Sequence, residues 1–123
     1  MTFAKWVFTL AGIYGLIVML PMYFLEGAIT QAAGPLTRPE DYYGFVGAAV
    51  VFQVLFLLIG RDPARFRPAM IVGVLEKLSF GVPVWLLHAQ GRVQGAVLVF
   101  ASIDLCLGAL FAISFLKSRP AGP

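Results

Sequence analysis

The feature that most limits what this chain can become is its division into four apolar runs, at about residues 5–25, 42–60, 68–88 and 93–116. A helix rises 1.5 Å per residue and the hydrocarbon core of a bilayer is about 30 Å thick, so a run of roughly 20 apolar residues matches one crossing. Only 12% of the 123 residues are charged while 60% are hydrophobic, against about 25% charged in soluble domains. A soluble fold cannot hide that much apolar surface. The sequence therefore predicts an all-α membrane protein, a single domain built as an up-down bundle of four transmembrane helices. The formal charge of +3 does not point to nucleic acid, because the basic residues stand at the ends of apolar runs, where they orient helices.

Punctuation between the runs is clear. The first run follows Lys5 and exceeds the roughly 7–15 residues of a secretory signal core, so it is expected to remain as a span. A polar connection over residues 26–40 contains Gly27, Gly34, Pro35 and Pro39; Thr37-Arg38-Pro39-Glu40 reads as a capping box that starts the second helix near Asp41. The segment Arg61-Asp62-Pro63-Ala64-Arg65-Phe66-Arg67-Pro68 is expected to form a short turn, with Pro68 in the first turn of the third helix. Pro83 is expected to kink that helix, since proline removes a backbone donor. The link Ala89-Gln90-Gly91-Arg92 reads as tight, and the fourth run ends before the basic tail Lys117-Ser118-Arg119-Pro120.

Orientation follows from the basic residues near helix ends. Lys5, Arg61, Arg65, Arg67, Lys117 and Arg119 fall on one side, and only Arg38 and Arg92 on the other. Because cytoplasmic loops retain Lys and Arg, this bias places both termini in the cytoplasm. The aromatic residues agree with these boundaries: Tyr23, Tyr42, Tyr43 and Trp85 lie near the outer interface and Trp6 near the inner one.

Three ionisable residues lie well inside the predicted spans: Glu76 and Lys77 on the third and Asp104 on the fourth. By helical rise, Glu76 and Lys77 stand roughly 12–14 Å and Asp104 roughly 18 Å from the basic end, within reach of a lysine stem. Gln53 on the second helix and Tyr14 on the first fall at a similar depth, so all four helices contribute a polar group to one layer. Asp104 shares a helical face with Ala101, Gly108 and Ala112, and Glu76 with Ala69, Gly73, Ser79 and Pro83; small residues mark helix–helix contacts in lipid, so both acids are expected to point inward. An ionised group at mid-membrane costs at least ~2.5–3.5 kcal/mol on insertion scales, so each must be paired or functional. Lys77 neutralises one carboxylate; the other must hold a proton or find a partner elsewhere.

Three readings of this layer follow. In the first, Glu76, Lys77, Asp104, Gln53 and Tyr14 bind a small ligand or a proton, as in a minimal carrier or sensor, because intramembrane acids mark such paths. In the second, the chain is a structural or accessory subunit whose buried charges only fix helix register. In the third, Glu76 or Asp104 moves protons in an intramembrane acid–base enzyme, such as an isomerase acting on a lipophilic substrate. The non-enzymatic readings are preferred, because no nucleophile elbow, Walker loop or metalloprotease motif is present. Snorkelling of Lys77 toward the basic interface is a further alternative.

Elsewhere the signals are structural before they are functional. Cys106 has no second cysteine to pair with, His88 lacks companions for a coordination sphere, and Glu26, Glu40 and Asp41 read as helix-end and loop acids that at most form a weak outer site with His88. No metal or cofactor is expected. Gly12-x-x-Gly15 and Gly44-x-x-Gly47 read as packing glycines that offer faces for a homo-oligomer. Arg61, Arg65 and Arg67 set topology and are expected to contact anionic lipid headgroups.

The pattern Arg61-Asp62-Pro63…Arg65-Phe66-Arg67-Pro68…Glu76-Lys77…Gly91-Arg92…Asp104-Leu105 resembles a group of small bacterial inner-membrane proteins of undefined activity, over the second to fourth helices. In its four-helix layout the chain is more distantly similar to DoxX-like proteins, a group sometimes linked to redox or quinone-associated systems. The resemblance implies a bacterial cytoplasmic membrane and transfers no catalytic residue.

Overall fold

The structure, a computed structural model, describes residues 2–118. Arg119 and Pro120, counted in the basic tail, lie outside them. The described residues are helical, with no strand among them: α1 spans Thr2–Met19 and runs on through a 3-10 turn at Leu20–Phe24, α2 is Glu26–Ala33, α3 Pro39–Arg61, α4 Ala69–Ala89 and α5 Ala96–Lys117. Four of these, α1 with its 3-10 extension, α3, α4 and α5, are long and apolar enough to cross a membrane.

The distribution of apolar side chains is that of a protein in lipid. Phe24 is 87% exposed and Ile17 69%, and Val51, Leu75, Leu86, Val99 and Leu116 are likewise on the surface. Contiguous apolar exteriors of this extent are avoided by soluble monomers. With no hydrophobic drive between helices in lipid, close approach of backbones does the packing. The bundle shows it: α1 pairs with α3 and α4 with α5, while α1 meets α5 and α3 meets α4 over smaller areas. At the α1–α3 seam a Cβ on Gly12 would stand 2.9 Å from the main-chain oxygen of Gln53, and one on Gly60 would stand 2.8 Å from the amide nitrogen of Thr9. At the α4–α5 seam a Cβ on Gly81 would stand 3.1 Å from the carbonyl of Ala101. Gly12 and Gly15 are thus consumed inside the bundle, whereas Gly44 faces open space; of the two glycine pairs proposed for oligomer contact, the first has no free face.

The buried core lies toward the end that carries both described chain ends. Phe8, Phe56 and Phe111, from α1, α3 and α5, are fully buried and pack as a triad, with ring centroids 4.1 Å apart for Phe8–Phe111 and 4.8 Å for Phe56–Phe111. Ala4, Ala11, Ile59 and Met70 complete it.

Several helix ends differ from the sequence reading. Thr37 does not cap α3: Arg38 is the N-cap, no side chain bonds the free amides there, and Pro39 takes the first helical position. Arg38 instead pairs with Asp41 at 2.6 Å and Glu40 at 3.5 Å in the first turn. Pro68 is the N-cap of α4 rather than part of its first turn. The helix continues through Pro83, whose side chain is exposed. The tight link after α4 closes as a Schellman motif, the amide of Arg92 donating to Leu87 O and that of Gly91 to His88 O, both at 2.9 Å. Gly91 takes a φ of 73°, which a Cβ would disfavour. This motif and Gly95, at φ 85°, delay α5 to Ala96. The connection over residues 26–40 is not wholly irregular, since its EGAITQAA stretch is rich enough in helix formers to make α2.

Candidate functional site

Lys77 is the centre of the charged layer. It lies on the buried stripe of α4 formed by Met70, Gly73, Lys77, Gly81 and Val84, spaced three and four residues apart. Its stem passes the bare backbone of Gly108, where a Cβ would sit 3.2 Å from the lysine Cβ. The residue is 3% exposed. Nζ donates to Asp104 Oδ1 at 3.4 Å, lies 3.5 Å from Glu76 Oε2 and stands 5.1 Å from the centroid of the Phe56 ring. Lys77 therefore does not snorkel; it is held between a carboxylate of its own helix and one from α5.

Glu76 is placed differently from expectation. Its proposed companions Ser79 and Pro83 are exposed, and Ser79 turns its hydroxyl back to the carbonyl of Glu76 at 2.7 Å. Glu76 flanks the buried stripe and reaches the ammonium from the side. Asp104 sits as expected on the face of Ala101 and Gly108, both buried.

Gln53 is buried on the α1-facing side of α3, where the missing side chain of Gly15 makes room for its amide. Nε2 donates to Ala49 O at 2.9 Å, within its own helix. Oε1 is buried with no hydrogen-bond partner. Glu76 Oε2 is buried too, with the Lys77 ammonium beside it at 3.5 Å. Tyr14 is half-buried on α1, within electrostatic reach of Asp104 but without a hydrogen bond to the trio among the described residues. The structure thus brings Lys77, Glu76 and Asp104 into contact and leaves Gln53 and Tyr14 at the layer's α1–α3 side.

Below this layer, toward the basic end, the Phe8–Phe56–Phe111 triad closes the bundle. Apolar grooves open on the surface of the described residues along the α4–α5 seam. One, of about 500 Å³, runs past Trp85, Val99, Ser102 and Cys106; the other, of about 270 Å³, past Leu75, Ala112 and Phe115. Neither is lined by Glu76, Lys77 or Asp104.

The arginine cluster divides. Arg61 and Arg65 are exposed, but Arg67 turns inward and donates from Nε and Nη2 to the carbonyl of Phe115, at 3.0 and 2.8 Å. Its guanidinium is committed to the end of α5 rather than to a lipid headgroup. That role was invisible in the sequence, because it depends on where α5 stops. At the opposite end, His88 places Nδ1 3.0 Å from Val93 O and packs edge-on against Trp85. Glu26 accepts from Tyr43 Oη at 2.8 Å, while Glu40 and Asp41 engage Arg38, so these acids and His88 do not converge. No group of three His, Cys, Asp or Glu side chains suited to a metal ion forms among the described residues.

Compared with protein families, with curated proteins and with solved structures, the chain matches none.

Proposed function

We propose that this chain is a multi-pass protein of a bacterial inner membrane, both termini cytoplasmic, whose buried charged layer binds a proton or a small hydrogen-bond-donating ligand, as in a minimal carrier or sensor. The orientation is supported by the excess of Lys and Arg at one end, and the bacterial placement by the sequence resemblance. One observation carries the binding reading: a single buried ammonium faces two carboxylates, and beside them Gln53 Oε1 is buried without a hydrogen-bond donor. The fully ionised trio holds one negative charge in excess. An orphaned acceptor of this kind costs about 1–3 kcal/mol. A bound proton removes the excess charge and turns a carboxylate oxygen into a donor, and it needs no cavity. The contacts of 3.4 and 3.5 Å are also longer than the roughly 2.7–2.9 Å of a tight charge-assisted bond, as suits a layer that exchanges partners.

The structural reading draws on a different observation, the packing of the Lys77 stem against Gly108, which ties α4 to α5 through the same residue. An acid–base enzyme needs a substrate-sized space beside its acid, and neither surface groove reaches the trio. Anionic lipid is proposed to meet Arg61 and Arg65 at the basic end, and a second copy of the chain to complete any conducting path, since four helices enclose little volume.

Infrared difference spectra of the purified protein in lipid discs, taken across a pH series, test the proton reading. A protonated-carboxyl stretch that titrates and disappears in Glu76→Gln or Asp104→Asn supports it. If no carboxyl assigned to either residue titrates while the fold persists, the layer is structural.

A further inference from the structure

The corner where the 3-10 turn, α2 and α3 meet gathers three tyrosines, one of which holds a carboxylate. Tyr43 lies in stacking range of Tyr23, with centroids 6.3 Å apart, and edge-on to Tyr42 at 5.0 Å. Tyr42 is anchored by its hydroxyl to Met22 O at 2.6 Å, and Tyr43 donates to Glu26 Oε1 at 2.8 Å. The rings are therefore fixed by partners at both Met22 and Glu26. Among the described residues Glu26 has no basic side chain in ion-pair range, whereas Glu40 and Asp41 share Arg38, and Glu76 and Asp104 share Lys77. Tyr23 is exposed and Glu26 only half-buried, so the corner is open at the surface.

We propose that this Tyr23–Tyr42–Tyr43–Glu26 corner binds the primary ammonium headgroup of a membrane lipid. The negative faces of aromatic rings attract a cation, and a carboxylate already oriented by a tyrosine hydroxyl accepts N–H donors that a quaternary ammonium lacks. Tyrosines concentrate at the headgroup level of a membrane. The exposed apolar side chains of Leu20, Phe24, Leu25 and Phe45 adjoin the corner on the same segments, as the acyl chains of a bound lipid require. The amine is therefore assigned to a lipid rather than to a soluble compound. This inference is independent of the proton-binding reading of the buried layer.

Thermal stability of the full chain in discs of phosphatidylglycerol, doped at equal mole fraction with phosphatidylethanolamine or phosphatidylcholine, tests it, with native mass spectrometry counting retained lipid. Phosphatidylethanolamine is expected to raise the melting temperature more than phosphatidylcholine and to be retained. Glu26→Gln should weaken that retention about tenfold, the effect of losing one charge-assisted hydrogen bond. Glu40→Gln, which removes a charge at the same end but outside the corner, should retain the preference. If Glu26→Gln lowers stability in phosphatidylglycerol alone, Tyr43→Phe, which removes only the orienting hydroxyl, gives the second measurement and should also weaken retention. Equal retention of the two zwitterionic lipids by the unmodified chain, or an unchanged preference in both corner variants, overturns the proposal. So does ethanolamine, added at constant ionic strength to discs without phosphatidylethanolamine, if it reproduces the whole shift.

Discussion

Arg67, at the entrance to α4, holds the main-chain carbonyl of Phe115 with two N–H donors while its guanidinium lies 3.7 Å from the centroid of the Phe115 ring. Phe115 belongs to the last turn of α5, whose carbonyls have no partner within the helix. One side chain thus caps one helix and fastens another to it, by a planar fork that a lysine lacks. Arg67→Lys is expected to lower stability by about 1–2 kcal/mol and Arg67→Ala by about 2–3 kcal/mol, given charged hydrogen bonds worth ~1.5–3 kcal/mol. Neither Arg61→Ala nor Arg65→Ala should have a comparable effect, because both side chains are exposed. Thermal unfolding in one detergent compares all four variants; equal losses at positions 61 and 67 would remove the capping role.

The α1–α3 seam gives a paired test of glycine packing. At Gly12 a methyl group would meet the main-chain oxygen of Gln53 at 2.9 Å, which cannot move without shifting α3, whereas at Gly44 it meets nothing within 4 Å. Gly12→Ala is therefore expected to destabilise by about 1–3 kcal/mol, the range for overpacking. Gly44→Ala should be neutral or stabilise by up to about 1 kcal/mol through helix propensity. A loss at Gly44 as large as at Gly12 would place a second copy of the chain on that face, and cross-linking would then be expected to recover dimers.

Much of this arrangement was legible from the residues alone, and the exceptions share a cause. Four spans follow from length and hydropathy, and the meeting of Lys77 with Asp104 follows from helical rise, because both are local arithmetic. By residue size Ser79 and Pro83 belong with Gly73 on the inward face of α4, yet both are exposed. The seam instead runs through Met70, Gly73, Lys77 and Gly81, with the long lysine stem accommodated by Gly108 on a different helix. Arg67 has as its partner a main-chain carbonyl 48 residues away, and no pattern within its own segment announces it. Glu26 and its tyrosines passed as ordinary boundary residues until the 3-10 turn and α2 folded them together.

Topology remains open to a direct check. Reporter fusions at Ala64 and after Arg119 are expected on the cytoplasmic side, and fusions in the 27–39 connection on the opposite side, because six of eight helix-end Lys and Arg residues lie at one end. The contact of Lys117 Nζ with the Phe3 ring at 4.6 Å puts the two ends of the described chain on one side of the bundle. Fusions at Ala64 and after Arg119 that report opposite sides would contradict the four-span arrangement.

The buried trio is tested most sharply by removing its charges in matched combinations. Asp104→Asn alone withdraws the carboxylate 3.4 Å from the Lys77 ammonium and leaves that ammonium with Glu76 at 3.5 Å. Breaking a buried pair in this way costs about 3–5 kcal/mol, so unfolding should shift strongly under either reading of the layer. The double change Lys77→Met with Asp104→Leu takes away one charge of each sign at similar volume, a replacement that is often neutral or stabilising by about 1–4 kcal/mol. It also strips Glu76 of its only cation among the described residues, so Glu76→Gln is added in a third variant to empty the layer of charge. If the charges only fix helix register, the triple variant should fold with at least the stability of the unaltered chain, and the unaltered chain should show no carboxyl that titrates in the infrared. Where the layer binds a proton, the triple variant should still fold, yet the titrating carboxyl band and the pH dependence of the melting temperature that follows it should both vanish. A triple variant that folds and keeps the full pH response would remove Glu76, Lys77 and Asp104 from the site and place the titrating group outside this layer.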